Sequence, residues 1–331
     1  VNLDNKVNLD NKVNLDNKEE LVKHNEKLVK YDKDKNLYKF ENKYYSIDPL
    51  KLKKLVKPLT KLKNMIGLDS IKDSILDFIT HYLQKNEHNK MLHTVLQGPP
   101  GVGKTRLGKI IAEIYSAMGV IPSSRCKLVT RNDLIGQYVG ETTRKTQEQI
   151  DKAEGGVLFI DEAYALGGDG KNTYGKECVD CINQNLSEKK KKLIVIIAGY
   201  EDALQKYFFS QNEGLNRRFP FRYTISGYNE TELKDIFISF IKKKKLRLNC
   251  DVTENDLVKI FKKEKEKLVN YGGDIENIIT QCELLNDRLH FGSHPKCRNI
   301  INLDIIKKSI EKYYDNVNND DNNTSWKKMY I

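Results

Sequence analysis

Short apolar runs alternate with helical patterns over the middle of the chain. Five runs of apolar and β-branched residues have the length and composition of strands, at residues 94–96, 127–130, 157–160, 193–198 and 221–225. Between them, apolar residues recur every three or four positions, which is the period of an amphipathic helix. Strands that alternate with helices in this way predict an α/β fold, in which a parallel sheet carries helices on both faces.

The pattern changes after Gly227. Helical periodicity continues without further strand patterns, and four helices are predicted at residues 230–245, 254–269, 274–289 and 303–314. They predict a small all-helical domain. We therefore divide the chain into four parts, which are an N-terminal extension (1–61), a large α/β domain (62–227), a helical domain (228–316) and a polar C-terminal tail (317–331).

The N-terminal extension differs in composition from the rest of the chain. Its first 18 residues are three copies of V-N-L-D-N-K, and this short polar period predicts a disordered segment. A hexapeptide β-solenoid is the alternative, although three turns are too few to be stable alone. Residues 18–61 mix lysines with Tyr and Phe, and we expect a partly ordered extension that packs on the neighbouring domain. Binding of single-stranded nucleic acid or of an acidic partner is the alternative there.

The net charge of +11 is unevenly distributed over the 331 residues. Residues 1–64 hold 16 Lys or Arg and 10 Asp or Glu (+6), residues 65–240 hold 23 and 22 (+1), and residues 241–331 hold 18 and 14 (+4). The basic excess therefore lies on the flanks, whereas a nucleic-acid motor more often carries it on its core. No secretory pattern and no bilayer-length apolar run is present in this sequence, so we expect a soluble intracellular protein with no membrane partner.

The six cysteines do not have the spacing of a disulfide framework, so we expect reduced thiols. Cys178 and Cys181 are predicted to be buried thiols on one helix, with a redox or zinc site as the alternative. A metal site formed by His290, His294 and Cys297 is a second, weaker alternative.

A glycine-rich segment follows the first predicted strand and fits the pattern G-x-x-x-x-G-K-[ST]. It consists of Gly98, Pro99, Pro100, Gly101, Val102, Gly103, Lys104 and Thr105, with Arg106 after it. Glycines let backbone N–H groups approach a polyphosphate, and a helix that begins at Lys104 adds the positive end of its dipole. We expect Lys104 to reach the β- and γ-phosphates, and the Thr105 hydroxyl to bind Mg²⁺. The segment therefore predicts a nucleotide site, with ATP as the expected ligand.

Two carboxylates follow the continuous apolar run at residues 157–160. Such a run is typical of a strand buried on both faces, and ligands of open α/β sheets bind at the carboxyl ends of the strands. Asp161 is predicted to help hold Mg²⁺, and Glu162 to polarise the attacking water. The pair therefore indicates that the nucleotide is hydrolysed.

These segments together resemble a known family. G-P-P-G-V-G-K-T and V-L-F-I-D-E-A-Y-A-L resemble the Walker A and Walker B motifs of the AAA+ ATPases. More narrowly, R-N-D-L-I-G-Q-Y-V-G-E-T-T-R-K-T and L-I-V-I-I-A-G-Y resemble the CbxX/CfxQ branch, which contains the red-type rubisco activases. The resemblance covers residues 62–316. It implies the AAA+ strand order, with the P-loop strand central, and a helical lid after the sheet domain.

The resemblance also implies roles for residues outside these two motifs. Ile66 and Gly67 match the segment that covers the adenine. Arg218 best matches the arginine finger, which a neighbouring subunit supplies to the γ-phosphate, and Arg217 is the second candidate. An arginine finger requires an oligomer, and the family implies a hexameric ring.

A glycine-flanked loop matches the family's first pore loop, which grips a threaded peptide. Its central residues are Gln137, Tyr138 and Val139, and Tyr138 matches the gripping aromatic. Residues 167–174 correspond to the second pore loop. We therefore expect a protein substrate.

Two positions depart from the general AAA+ pattern. Tyr200 stands at the end of the fourth strand, where AAA+ proteins often carry Asn. Gly273 stands where the lid usually places an arginine that contacts the γ-phosphate. Nucleotide-driven lid movement is therefore expected to be weaker, unless another cation substitutes.

The residues and the resemblance together predict an Mg²⁺-dependent, chaperone-like AAA+ ATPase. Its ring of identical subunits is expected to remodel a protein through a central pore. Two alternatives remain at this stage. One is an ATP-driven nucleic-acid motor or loader, and the other is a nucleotide-gated scaffold that does not hydrolyse ATP.

Overall fold

The computed structural model describes most of the chain. The described residues are 30–32, 37–40, 43–85, 91–138, 140–167, 173–188, 192–292, 294 and 299–327. The V-N-L-D-N-K repeats lie outside the described residues, so their expected disorder stays a prediction.

The N-terminal extension contains three short strands and a helix. Strands β1 (Lys30–Asp32), β2 (Leu37–Phe40) and β3 (Lys43–Tyr45) form an antiparallel sheet in that order. Helix α1 (Pro49–Lys63) follows, and the Asp48 side chain caps its start by accepting a hydrogen bond from the Leu50 N–H at 2.9 Å. The predicted boundary at residues 61–62 thus falls inside α1.

Helix α2 (Asp69–Lys85) leads into the main sheet, which has five parallel strands. These are β4 (Thr94–Gln97), β5 (Cys126–Val129), β6 (Val157–Ile160), β7 (Ile194–Gly199) and β8 (Phe221–Thr224). Their spatial order is β5-β6-β7-β4-β8, and every pairing is parallel. The α/β prediction is confirmed. In one detail it is wrong: the central strand is β7, and the P-loop strand β4 lies beside it, between β7 and β8.

Helices cover both faces of this sheet. They are α3 (Lys104–Ala117), α4 (Arg131–Leu134), α5 (Glu141–Ala153), α6 (Thr173–Glu188), α7 (Glu201–Ala203) and α8 (Leu215–Arg218). Side chains alternate along a strand, so Leu96 of β4 packs in the core with α1, α2 and α3, whereas Val95 packs in the core with α5 and α6. Beyond α7 the chain continues as a π-helix, Leu204–Phe208.

The C-terminal domain is helical, with α9 (Glu230–Lys243), α10 (Glu254–Glu264), α11 (Gly272–Leu289) and α12 (Leu303–Lys327). It also contains a parallel pair of two-residue strands, β9 (Arg247–Leu248) and β10 (Ile300–Ile301), although no strand was expected after Gly227. Two residues cannot display a periodicity, so the sequence pattern misses such strands. Helix α12 continues past residue 316, where a polar tail was predicted.

A buried histidine joins the start of β4 to β7. The His93 Nδ1 atom accepts a hydrogen bond from the Val195 N–H at 3.0 Å, and its Nε2 atom lies 3.4 Å from the Leu186 carbonyl oxygen. Burial lowers the pKa of His93 to about 4. The folded protein therefore keeps this imidazole neutral at a pH where the unfolded chain, with a His pKa of about 6.5, binds a proton.

We expect His93 to make the fold sensitive to acid. Between pH 6.5 and 4 the unfolded chain gains a proton that the folded chain excludes, so the free energy of unfolding falls as the pH falls. The loss attributable to His93 is about 3 kcal/mol between pH 7 and pH 4. Urea unfolding of the wild type and of His93→Gln over this range measures it. The variant should have the flatter pH dependence, and equal slopes would contradict the assignment.

Candidate active site

The glycine-rich loop joins β4 to α3, and α3 begins at Lys104 as predicted. Glycine is required at Gly98 because a Cβ atom there would lie 2.3 Å from the Ile225 carbonyl oxygen. At Gly101, a left-handed φ of +70° is combined with a close approach to the helical domain. A Cβ atom there would lie 1.7 Å from the Asn270 carbonyl oxygen. The loop is thus held between the end of the sheet and the helical domain.

Lys104 folds back over this loop. Its Nζ donates hydrogen bonds to the carbonyl oxygens of Gly98 at 2.9 Å and Pro99 at 2.7 Å. The ammonium also lies 5.6 Å from the centre of the Tyr200 ring, within the range of a cation–π contact. Burial lowers the Lys104 pKa, while the charges of Asp161 and Glu162 raise it. The loop therefore places a cation between its own carbonyl groups and the two acids.

The two predicted Mg²⁺ ligands lie side by side, although 56 positions separate them in sequence. The Thr105 Oγ1 donates a hydrogen bond to the Asp161 Oδ2 at 3.3 Å. The Asp161 N–H in turn donates to the Val129 carbonyl oxygen at 3.0 Å, which fixes the acid at the end of β6. The hydroxyl and carboxylate oxygens that meet here are of the kind that Mg²⁺ prefers.

Glu162 adopts a backbone conformation that is uncommon for a residue with a side chain. Its φ is +48°, in the left-handed region, and its N–H donates to the Asp161 Oδ1 at 3.1 Å. Glu162 is exposed and borders the same cavity as Lys104 and Thr105. This tight turn brings both carboxylates to the carboxyl end of β6.

A cavity of about 580 Å³ lies between the loop, the carboxyl ends of the strands and the helical domain, and its volume suits a small-molecule ligand. The predicted site residues that line it are Ile66, Pro100, Gly101, Gly103, Lys104, Thr105, Arg106, Asp161, Glu162 and Tyr200. Gly98 and Pro99 hold Lys104 through their carbonyl groups instead. Val102 is fully buried, and its carbonyl oxygen accepts a hydrogen bond from the Tyr228 hydroxyl at 2.9 Å.

Sequence reasoning missed several residues that line this cavity. They include Tyr164, Tyr228, Ile236, Ser239, Phe240, Lys243 and Glu276, whereas Met65, which also lines the cavity, belongs to the segment that was matched to the adenine cover. Tyr164 stands two positions after Glu162, so its position in the motif could have signalled it. Its ring centre lies 5.6 Å from that of Tyr200, and burial raises its pKa to about 12, so its hydroxyl keeps its proton. The residues of α9 show only the period of a packed helix and give no such signal.

Gly273 lines the cavity at the start of α11. The nearest atom to a Cβ placed there is the Asn270 Cβ at 3.7 Å, so this position has room for a side chain. Among the described residues of the helical domain, Lys243 is the cation that borders the cavity. Gly67 lies outside the lining, where a Cβ would meet the Glu232 carboxylate at 2.4 Å.

The two predicted arginine fingers differ in their surroundings. Arg218 is partly buried, and it donates from Nε to the Ser187 Oγ at 2.9 Å and from a terminal nitrogen to the Gly214 carbonyl oxygen at 3.1 Å. Arg217 is exposed and forms no hydrogen bond or ion pair with any residue that the structure describes. Neither arginine is part of the described cavity lining of its own subunit.

The predicted pore loop lies between α4 and α5. The Tyr138 side chain is 69% exposed, so it is available to a partner. The Glu141 carboxylate accepts hydrogen bonds from the N–H groups of Gln137 at 3.2 Å and Tyr138 at 3.3 Å, and thereby shapes the loop. Val139 lies outside the described residues, as do residues 168–172 of the second predicted loop.

The cysteine prediction is confirmed, since Cys178 and Cys181 are buried, unbridged thiols on α6. Burial raises the pKa of Cys178 to about 12. Within the described ranges, no group of three or more His, Cys, Asp and Glu residues could hold a metal ion, and Cys297 of the weaker alternative lies outside them. None of the described helices combines the length and apolar character needed to cross a bilayer. The expected compartment stays a prediction.

Comparison with known proteins gives matches over the part of the chain that contains the glycine-rich loop and the acidic pair. The model of the ATPase family associated with various cellular activities (AAA) matches residues 94–225. A cfxQ-like protein of Acanthamoeba polyphaga mimivirus is 37% identical over 297 residues, which cover 88% of this chain and 73% of that protein. The CfxQ homolog of Trieres chinensis is 31% identical over 264 residues, covering 75% of this chain and 90% of the homolog. The crystal structure of the FIGL-1 AAA domain in complex with ADP is similar in fold. It has a TM-score of 0.55 at 18% identity, over 76% of this chain and 83% of that one.

Proposed function

Because this chain belongs to the AAA family of ATPases, in its CfxQ-like branch, we propose that it works as a ring that remodels a protein substrate. The chain is an ATP hydrolase by family. The parts that we propose are its Mg²⁺ dependence, the ring, the substrate and the roles of individual residues.

The observation that carries the hydrolysis proposal is the meeting of Thr105 and Asp161 beside Lys104. We infer that Thr105 and Asp161 hold Mg²⁺, which would neutralise charge on the phosphate oxygens when it is bound. On binding ATP, the Lys104 ammonium exchanges the carbonyl groups of Gly98 and Pro99 for phosphate oxygens, to which it is bound more strongly because they are charged. Glu162, at the rim of the cavity, accepts the proton of the attacking water.

The nucleobase is proposed to bind on the opposite side of the cavity. Met65, Ile66, Ile236 and Phe240 supply apolar surface there, and they come from both domains. A nucleotide that fills this space contacts the sheet domain and the lid at once. Its binding and loss therefore change the relative free energy of open and closed arrangements of the two domains. This is the coupling through which hydrolysis would do mechanical work.

The ring proposal rests on Arg217, which is exposed and has no partner among the described residues. An arginine presented at the surface can complete the active site of a neighbouring subunit. The exposed Tyr138 loop would then face the centre of the ring, where an aromatic side chain can push an extended peptide without sequence preference. We propose a homo-oligomer, with six subunits as in the family, and a protein substrate of unknown identity.

The first test is the steady-state ATPase activity of the wild type across protein concentration. If the active site is shared between subunits, activity per subunit rises several-fold with concentration and reaches a plateau when rings are complete. Sedimentation at the same concentrations should show the oligomer forming over the same range. EDTA should abolish turnover, and adding back Mg²⁺ should restore it. A constant specific activity from dilute monomer to oligomer would contradict the shared site.

A further inference from the structure

The segment from β3 to the end of α1 is strongly basic. Residues 43–63 contain seven lysines and one acid, Asp48. Asp48 is occupied as the cap of α1 through its hydrogen bond to the Leu50 N–H. The sheet domain beside it is close to neutral, so this charge is a local feature and not a property of the whole surface.

Helix α1 buries some of its apolar residues and leaves most of its lysines exposed, together with Leu52 and Val56, which are 44% and 62% exposed. The buried residues of α1 are Leu55, Pro58 and Leu62, and the two leucines belong to the core to which α3 also contributes. Lys53 and Lys57 lie on the opposite side of the helix and Lys54 lies at its flank, and all three lysines are exposed. Since Leu55 and Leu62 hold the helix in the core, the lysines are presented on a fixed backbone.

Most of this charge is not neutralised by the residues that the structure describes. Lys61 pairs with Glu113 of α3, at 2.5 and 2.7 Å to its two carboxylate oxygens. Lys53, Lys54 and Lys57 form no ion pair with any residue in the described ranges. Lys53 and Lys57 are one helical turn apart, a spacing at which like charges destabilise a helix. A polyanion lying along this side would remove that repulsion.

Exposed aromatic side chains indicate which polyanion fits. Tyr44 and Tyr45 of β3 are 42% and 36% exposed, and three residues join them to α1. Lysines beside accessible aromatic rings are the combination that binds single strands, because phosphates contact the lysines while bases stack on the rings. An acidic peptide would use the lysines alone.

We propose that β3 and the lysine side of α1 form a binding surface for single-stranded nucleic acid. Lys53, Lys54 and Lys57 contact its phosphates, and the Tyr44 ring, which shares a face of the small sheet with Lys39, stacks on one of its bases. The surface lies outside the ATP cavity, and the inference does not depend on the proposed ring or on hydrolysis. It gives the ATPase a place to be tethered to DNA or RNA.

The test measures the binding of a fluorescent single-stranded oligonucleotide of about 20 nucleotides to the full chain, by anisotropy over a series of salt concentrations. The test variant replaces Lys53, Lys54 and Lys57 by Gln. Its matched control replaces Lys259, Lys262 and Lys263, three exposed lysines of α10, by Gln. We expect the test variant to lose affinity about tenfold or more, with a salt slope shallower by about 2. The control should change less than twofold.

Further measurements separate nucleic acid from other anions. Tyr44→Ala should weaken binding about fivefold or more at an unchanged salt slope, since stacking releases no counterions. Circular dichroism and urea unfolding check that each variant keeps the helix content and the stability of the wild type. If both lysine variants lost the same affinity for the oligonucleotide, net charge alone would explain the binding, and the proposal would be overturned. Displacement of the oligonucleotide by poly-glutamate as effectively as by an unlabelled strand would also overturn it, in favour of an acidic polypeptide.

Discussion

Replacing Glu162 by Gln is expected to lower ATP turnover by about 10²- to 10⁴-fold, the contribution of a positioned general base. Glutamine fills the same space but cannot accept the proton of the attacking water. The neighbouring groups that hold phosphates, Lys104 and Thr105, are unchanged. ATP affinity should therefore stay within a few-fold of the wild type, and the variant should accumulate in its ATP-bound form.

A matched control for this variant is Glu201→Gln. Glu201 is an exposed carboxylate that follows β7 much as Glu162 follows β6, yet it is not among the described residues that line the cavity. The control should retain wild-type turnover. Single-turnover hydrolysis and equilibrium binding of a fluorescent ATP analogue distinguish a lost chemical step from lost affinity. If Glu162→Gln turns over within tenfold of the wild type, another group acts as the base.

Much of this site could be predicted because its residues act within contiguous segments. The loop from Gly98 to Thr105 needs glycine where the backbone is left-handed or closely approached, and those needs appear directly in the sequence. Asp161 and Glu162 could be placed because a buried parallel strand reads as an unbroken apolar run. The carboxyl end of such a strand is where the ligands of an open sheet bind.

The other side of the cavity could not be predicted from the residues alone. Phe240 and Lys243 lie on α9, where their spacing is the same as that of any packed helix. Their position at the cavity follows from how the lid sits on the sheet domain, and this is a tertiary property. The same reason applies to the detail of α1, since its lysine-rich sequence predicted an extension that packs on the neighbouring domain but not which of its residues enter the core. Leu55 and Leu62 are the residues that bring it into the fold.

The arginine pair shows a further limit of sequence matching. The motif alone favours Arg218 over Arg217, because a match to a family segment depends only on residue type and position. The structure gives Arg218 two partners within its own subunit, Ser187 and Gly214, and gives Arg217 none among the described residues. An arginine that must reach a phosphate of another subunit has to be free of such bonds or lose them on assembly. This difference in partners supports Arg217 as the finger.

We therefore expect Arg217→Ala to lower the turnover of the assembled protein by about 10³- to 10⁵-fold, the contribution of an arginine finger. ATP binding and oligomer size should be unchanged, because the Arg217 side chain forms no hydrogen bond or ion pair with a described residue of its own subunit. Arg218→Ala should instead lower the free energy of unfolding by about 1–3 kcal/mol, because it removes two hydrogen bonds from a partly buried site. Urea unfolding and steady-state turnover of both variants measure the two effects.

Mixing two inactive variants tests whether Arg217 acts between subunits. Glu162→Gln keeps its arginine and Arg217→Ala keeps its base, so a site formed by one of each contains both groups. If Arg217 completes the neighbour's site, the mixture regains part of the wild-type activity although neither variant is active alone. A double variant carrying both changes cannot supply either group and should restore nothing when mixed with either one. Absence of recovery in rings shown to contain both variants would mean that Arg217 does not act across the interface.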